Sequence, residues 1–217
     1  MRLYGVHLTA VTIVAATILA AACQTARSSG TPIVQPGAPG QETKTVSAAK
    51  ASDLSRVQFT AADVRFMQGM IGHHAQAVEM TALVPARTAT DGMRKLAQRI
   101  EVSQVDEIGM MKRWLEVRGQ QLPDPHAMHM HGAMLMPGML TQEEMQALAA
   151  AKGRDFDRLF LAGMIKHHEG ALTMVRELFA TPGAGQESEM YAFASDVDAD
   201  QRMEIERMGA MLGELER

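Results

Sequence analysis

Two pairs of adjacent histidines are the residues best equipped for chemistry in this chain. The first lies in Asp63-x-x-Phe66-x-x-Gly69-Met70-Ile71-x-His73-His74-x-x-Ala77-Val78-x-Met80. The second lies in Asp157-x-x-Phe160-x-x-Gly163-Met164-Ile165-x-His167-His168-x-x-Ala171-Leu172-x-Met174, an evident copy of the first. A third concentration falls between them, His126-Ala127-Met128-His129-Met130-His131-Gly132-Ala133-Met134-Leu135-Met136-Pro137-Gly138-Met139. Thioether sulfur is soft and uncharged and selects Cu(I) or Ag(I), while imidazole adds affinity and also accepts Cu(II), Zn(II) or Ni(II). The single cysteine, Cys23, excludes a disulfide framework or a thiolate zinc site within the chain.

A plainer reading competes with metal binding. A buried histidine can be satisfied by a carboxylate or carbonyl, and methionine is a common filler of irregular cores. Glu107 and Glu204, with Gln104 and Gln201, are placed either to orient ligating imidazoles or to be their complete partners. Segment 126–139 separates the two readings, because its histidines and methionines sit near Pro and Gly where no core explains them. Beyond the first 22 residues every histidine belongs to a copy of the motif or to this segment. The chain has 19 methionines against 4% aromatic residues, so thioether is its most over-supplied side-chain chemistry.

These side chains need helices to position them. Asp63, Phe66, Met70, His73, Ala77, Met80 and Val84 follow steps of three or four residues and share one helical face. Asp157, Phe160, Met164, His167, Ala171, Met174 and Leu178 do the same. His74 and His168 fall just beside the stripes. A weaker repeat follows each copy, Gln104-x-x-Glu107-Ile108-x-x-Met111 against Gln201-x-x-Glu204-Ile205-x-x-Met208, so each unit is a helix pair.

Thr60 with Asp63 predicts a helix start, and Pro85 predicts its end near Val84. A second helix is expected from about Asp91 to Arg118, stopped by Gly119. Thr141-Gln142-Glu143-Glu144 predicts a short helix ending near Gly153. A third long helix should run from about Asp155 to Phe179, with a turn through Thr181–Gly185 and a final helix to the C-terminus. No segment shows sustained period-two alternation. The expectation is an all-α fold, a four-helix bundle built from two repeated helix hairpins over residues 56–217.

The N-terminus reads as an export signal over residues 1–22: Arg2, an apolar run from Leu8 to Ala22, and small residues before Cys23. The apolar run is shorter than the roughly 20 residues a spanning helix needs. The pattern resembles a bacterial lipoprotein signal, which implies a lipidated Cys23 and a membrane anchor. Residues 23–55, with Pro32, Pro36 and Pro39 among Gly, Ser and Thr, read as a flexible tether. An oxidising extracytoplasmic compartment suits Met and His donors better than a thiol cluster.

The paired Gly-Met-Ile-x-His-His motifs, together with Met136-Pro137-Gly138-Met139-Leu140-Thr141 leading into Phe156-Asp157-Arg158-Leu159-Phe160, resemble the domain-of-unknown-function 305 family. The resemblance covers roughly residues 56–217. It implies a ferritin-like four-helix fold in exported bacterial proteins, some of which bind copper and support copper tolerance. Carried over by position, it implies Met70, His73, His74 and Met80 as ligands in one copy. Met164, His167, His168 and Met174 are the counterparts in the other, although Glu169-Gly170 follows the second pair where Ala75-Gln76 follows the first.

Three functions follow as expectations. The leading one is a non-enzymatic, lipid-anchored copper protein of the envelope that sequesters Cu(I) or hands it to a delivery partner. In it, His126, Met128, His129, Met130 and His131 capture ions and the helical sites hold them. A ferritin-like di-iron oxidase would need Glu-x-x-His pairs, but Met70, Ile71, Met164 and Ile165 occupy the required glutamate positions. A metal-independent interaction protein would use segment 126–139 as an adaptable thioether surface. The net charge of -4 argues against nucleic-acid binding through a basic surface.

Overall fold

A computed structural model describes residues 33–35, 43–51, 58–123 and 135–217. The chain divides into two units, Met1–Arg56 and Val57–Arg217. The leader, Cys23 and residues 124–134, with His126, Met128, His129, Met130 and His131 among them, lie outside the described residues.

The first unit holds a small element that the Pro/Gly-rich composition did not announce. Strands β1 (Ile33–Gln35) and β2 (Lys44–Val46) pair antiparallel with Ile33 opposite Val46, and a single helical turn, α1 (Ala48–Ala51), follows. The β-branched residues Ile33, Val34, Thr45 and Val46 supply the local preference for extended backbone.

In the second unit four long helices form two hairpins: α2 (Ala61–Arg87) with α3 (Asp91–Val117), and α5 (Gly153–Ala180) with α6 (Ser188–Leu215). A short helix, α4 (Gln142–Ala150), packs on α5. The hairpins meet along the two repeat helices, α2 and α5. The all-α four-helix bundle is therefore the observed fold.

Local chemistry sets the boundaries. Thr60 and Thr141 each form a reciprocal capping box, with Asp63 and Glu144 respectively. Pro85 does not end α2 as expected. In the last turn a proline removes only one helical hydrogen bond, and fully buried Val84 favours keeping the turn. The helix continues to Arg87, where the Thr88 N–H still bonds the Val84 carbonyl. Gly119, at φ 65°, ends the α3 hairpin arm as expected.

Every residue of the two stripes is buried, from Asp63 to Val84 and from Asp157 to Leu178. The apolar core divides into two clusters. Phe66, Met70, Met111, Trp114, Met174 and Phe193 belong to one. Met80, Leu96, Ile100, Phe156, Phe160 and Met164 belong to the other. The four histidines belong to neither and form a buried polar layer, His73 and His167 on the stripes and His74 and His168 beside them.

Candidate metal centre

Histidine meets histidine because α2 and α5 run antiparallel. The start of α2 lies by the end of α5, where Asp63 Oδ1 accepts from the Gly185 N–H at 2.7 Å. At the opposite end the Thr90 hydroxyl donates to Asp157 Oδ2 at 2.8 Å. The stripe aspartates therefore latch each hairpin to the turn of the other. Between these latches the His73 and His167 rings stack with centroids 3.8 Å apart and planes inclined by 36°.

His74 and His168 flank the stacked pair, with ring centroids 6.3 Å and 6.2 Å from their sequence neighbours. Each is clamped by a glutamate from the second helix of its own hairpin. His74 Nε2 donates to Glu107 at 2.5 Å, and His168 Nε2 donates to Glu204 at 2.7 Å. The glutamates singled out in the weaker half of the repeat are the partners observed. Gln104 and Gln201 are buried one turn earlier, each with its side-chain carbonyl unpaired.

The remaining two rings bond backbone. His73 Nε2 donates to the Pro137 carbonyl at 3.0 Å, and His167 Nε2 donates to the His73 carbonyl at 2.9 Å. A carbonyl only accepts, so both rings carry their proton on Nε2 when neutral. Burial keeps them neutral. It drives His73 down to about 3, with His74 and His168 nearby adding to the effect and the Pro137 bond opposing it. Burial likewise holds His167 well below the ordinary histidine range, followed by the influence of His73, His168 and His74.

One consequence is chemical. Nδ1 of His73, His74 and His168 is buried without a hydrogen-bond partner. A buried polar atom left unpaired costs on the order of 1–3 kcal/mol, and in the neutral ring this is the atom whose lone pair binds a metal. A carboxylate or carbonyl on the far nitrogen is the arrangement that fixes tautomer and raises ligand basicity. Among the described residues, no three His, Cys, Asp or Glu side chains converge as a ready chelate. The donors that the two stripes carry are imidazole and thioether, which suit soft ions of low coordination number.

The packing sorts the four stripe methionines by place and not by copy. Met70 and Met174 share one apolar cluster, Met80 and Met164 the other. Gly163 leaves the space that Met80 enters, a Cβ there lying 3.4 Å from the Met80 methyl. Gly69 does the same for Met174, at 3.5 Å. The glycine in each Gly-Met-Ile-x-His-His motif thus admits a methionine of the other copy.

Sequence reasoning did not foresee what segment 135–140 does. Gln76 holds Leu140 by both backbone groups, accepting its N–H at 2.8 Å and donating to its carbonyl at 2.9 Å. Gly170 is the surface on which Pro137 and Gly138 lie, and a Cβ there would sit 1.9 Å from the Pro137 oxygen. The signal was visible as a departure between the copies just after the histidine pairs, Gln76 against Gly170, without any indication of what occupied the space. The two stripe aspartates were likewise in view as members of the shared faces, and Asp63 also as a helix-start residue, but without their partners across the hairpins.

Comparison with known proteins agrees with this architecture. The family model described as domain of unknown function (DUF305) matches residues 63–212. A DUF305 fragment from Deinococcus radiodurans is 31% identical, with a TM-score of 0.62, covering 72% of this chain and 98% of its own. A secreted DUF305 protein from Streptomyces coelicolor is 31% identical, with a TM-score of 0.61 and coverage of 71% and 93%. CopM in its Cu(I)-bound form is 28% identical, with a TM-score of 0.56 and coverage of 72% and 98%. CopM structures with Cu(II) and with Ag also match. The comparison with curated proteins gives no match. With the family model spanning most of the bundle and the same fold in family structures, the chain belongs to the DUF305 family.

Proposed function

We propose that this chain is a copper-binding protein of the cell envelope that holds Cu(I), and by the same donor chemistry Ag(I), at its histidine layer. The observation that carries this reading is the set of unpartnered buried Nδ1 atoms on His73, His74 and His168. They belong to a layer whose stripes also bear Met70, Met80, Met164 and Met174. Glu107 and Glu204 hold the rings of His74 and His168, so binding would need little reorganisation of those two side chains. Copper would supply no chemistry beyond being bound; the reading is sequestration or transfer, not catalysis. Similarity to CopM in Cu(I)-, Cu(II)- and Ag-bound forms supports the choice of ion.

The same reading places the protein outside the cytoplasm. The leader over residues 1–22 supports export, as does similarity to a secreted family member. Cys23 would carry the lipid anchor, and His126, Met128, His129, Met130 and His131 would collect ions for the bundle or for a delivery partner. An anaerobic Cu(I) titration against a competing chelator tests the core of the proposal. Binding tighter than micromolar is expected, with marked weakening when His74 and His168 are both changed to Gln while the helical circular dichroism persists. Absence of tight binding by the unaltered chain would end the copper reading.

A further inference from the structure

The geometry points to a second soft-ion site, made by the thioethers of Met136 and Met174 across Gly69, at the surface of the bundle between α2 and α5. This inference rests on the copper reading and moves Met174 from the histidine set to a separate site, pairing it with Met136, which that reading does not use.

The position of Gly69 is where the two side chains meet. A Cβ built there would lie 3.2 Å from the Met136 sulfur and 3.5 Å from the Met174 methyl. Both distances run to one point, so the methionines are neighbours over a bare stretch of helix. They line a cleft of about 270 Å³ that also includes Arg65, Gly69, Pro137 and Glu177. Met174 is 9% exposed, while Met70, Met80 and Met164 are at 0%, so this is the stripe methionine that solvent reaches. Met136 is half-buried. Two thioethers suit a linear, soft, monovalent ion and suit hard divalent ions poorly. The next residue after Met136 is Pro137, whose carbonyl holds His73, so the pair sits one peptide from the histidine layer.

The repeat supplies an internal control. At Gly163, the counterpart of Gly69, a Cβ would meet the Leu140 side chain at 3.2 Å and the Met80 methyl at 3.4 Å. Hydrocarbon stands there where Met136 places sulfur, and both residues are buried. Methionine used only as filler explains either glycine equally well. A metal pair explains why the position open to solvent is the one that carries the second sulfur.

The test is native mass spectrometry of the full chain titrated with Ag(I), with circular dichroism as the check on folding. Met136→Leu and Met174→Leu, made separately, should each lose one bound ion or weaken it at least tenfold, leaving the other ions in place. If the unaltered chain binds Ag(I) and both leucine variants bind the same number with the same affinity, the pair is packing and the inference falls. If the unaltered chain binds no Ag(I) or Cu(I), the copper reading itself fails and takes this site with it.

Discussion

Around His167 the ring bonds the backbone of α2, and Gly163 is covered by Met80 of α2 and by Leu140 at the end of the connecting segment. Around His73 the same residue types meet more of that segment. There the ring bonds Pro137, Gly69 faces Met136, and Gln76 pins Leu140. Two copies of one motif thus reach different surroundings because a single connecting segment runs over both α2 and α5 and presents a different residue to each, Met136 to Gly69 and Leu140 to Gly163. Duplication builds the paired glutamate clamps and the methionine exchange, and the connector breaks the symmetry. The lesson is that the copies are equivalent in the hydrogen bonds made inside each hairpin and unequal in what covers them.

Acid should give the largest effect, and it bears on what the two halves share. His73 is held neutral down to about 3 in the fold, whereas an unfolded histidine titrates near 6.5. Above that unfolded value neither state is protonated and stability is complete. Below it the unfolded chain takes up protons first, so stability should fall from about pH 6.5 towards pH 3. By pH 4 His73 alone should cost about 3 kcal/mol, with His167 adding a loss of the same sign. Urea unfolding of the metal-free chain at neutral and acid pH measures this. His73→Asn and His167→Asn should each flatten the profile, and an unchanged profile in both would contradict the assignment. Glu107, Glu204, His74 and His168 surround the pair and must be kept in both variants.

Next in size is the contact that makes the halves unequal. Gly170→Ala should force Pro137 and Gly138 off α5 and destabilise by up to about 3 kcal/mol. A thermal melt that matches the unaltered chain would show that the connector is not seated as described. Glu107→Ala and Glu204→Ala test equivalence directly. Each leaves a buried imidazole N–H unpaired, and each should cost about 2 kcal/mol in chemical denaturation. A difference between them larger than about 1 kcal/mol would break the equivalence of the clamps. The smallest effect should come from the latches. Asp157→Asn disturbs one bond from Thr90, whereas Asp63→Asn disturbs a capping box as well as Gly185. The first should cost about 1 kcal/mol and the second somewhat more.

Much of this was legible beforehand for a physical reason. Helical periodicity is a local property, so steps of three and four residues put Phe66, Met70, His73 and Met80 on one buried face whatever they pack against. Repetition then made two such faces, and two amphipathic helices of one chain bury their stripes against each other. Glu107 and Glu204 could be paired with the histidines because they recur at the same place in each hairpin. Where α2 ends was less legible, since the cost of Pro85 depends on its distance from the last turn and on the burial of Val84.

What the amino-acid order determined by itself was the helices, their inner faces, the hairpin repeat and the soft donor chemistry carried on it. What only the tertiary structure decided was which donors are neighbours. Antiparallel packing of α2 on α5 joins Met70 with Met174 and Met80 with Met164, and it brings His73 onto His167. It also decided that Pro137 would take the His73 proton donor and that Met136 would lie over Gly69. Such pairings depend on the direction and register of elements far apart in the chain. Side-chain periodicity encodes a face, but it encodes neither of those.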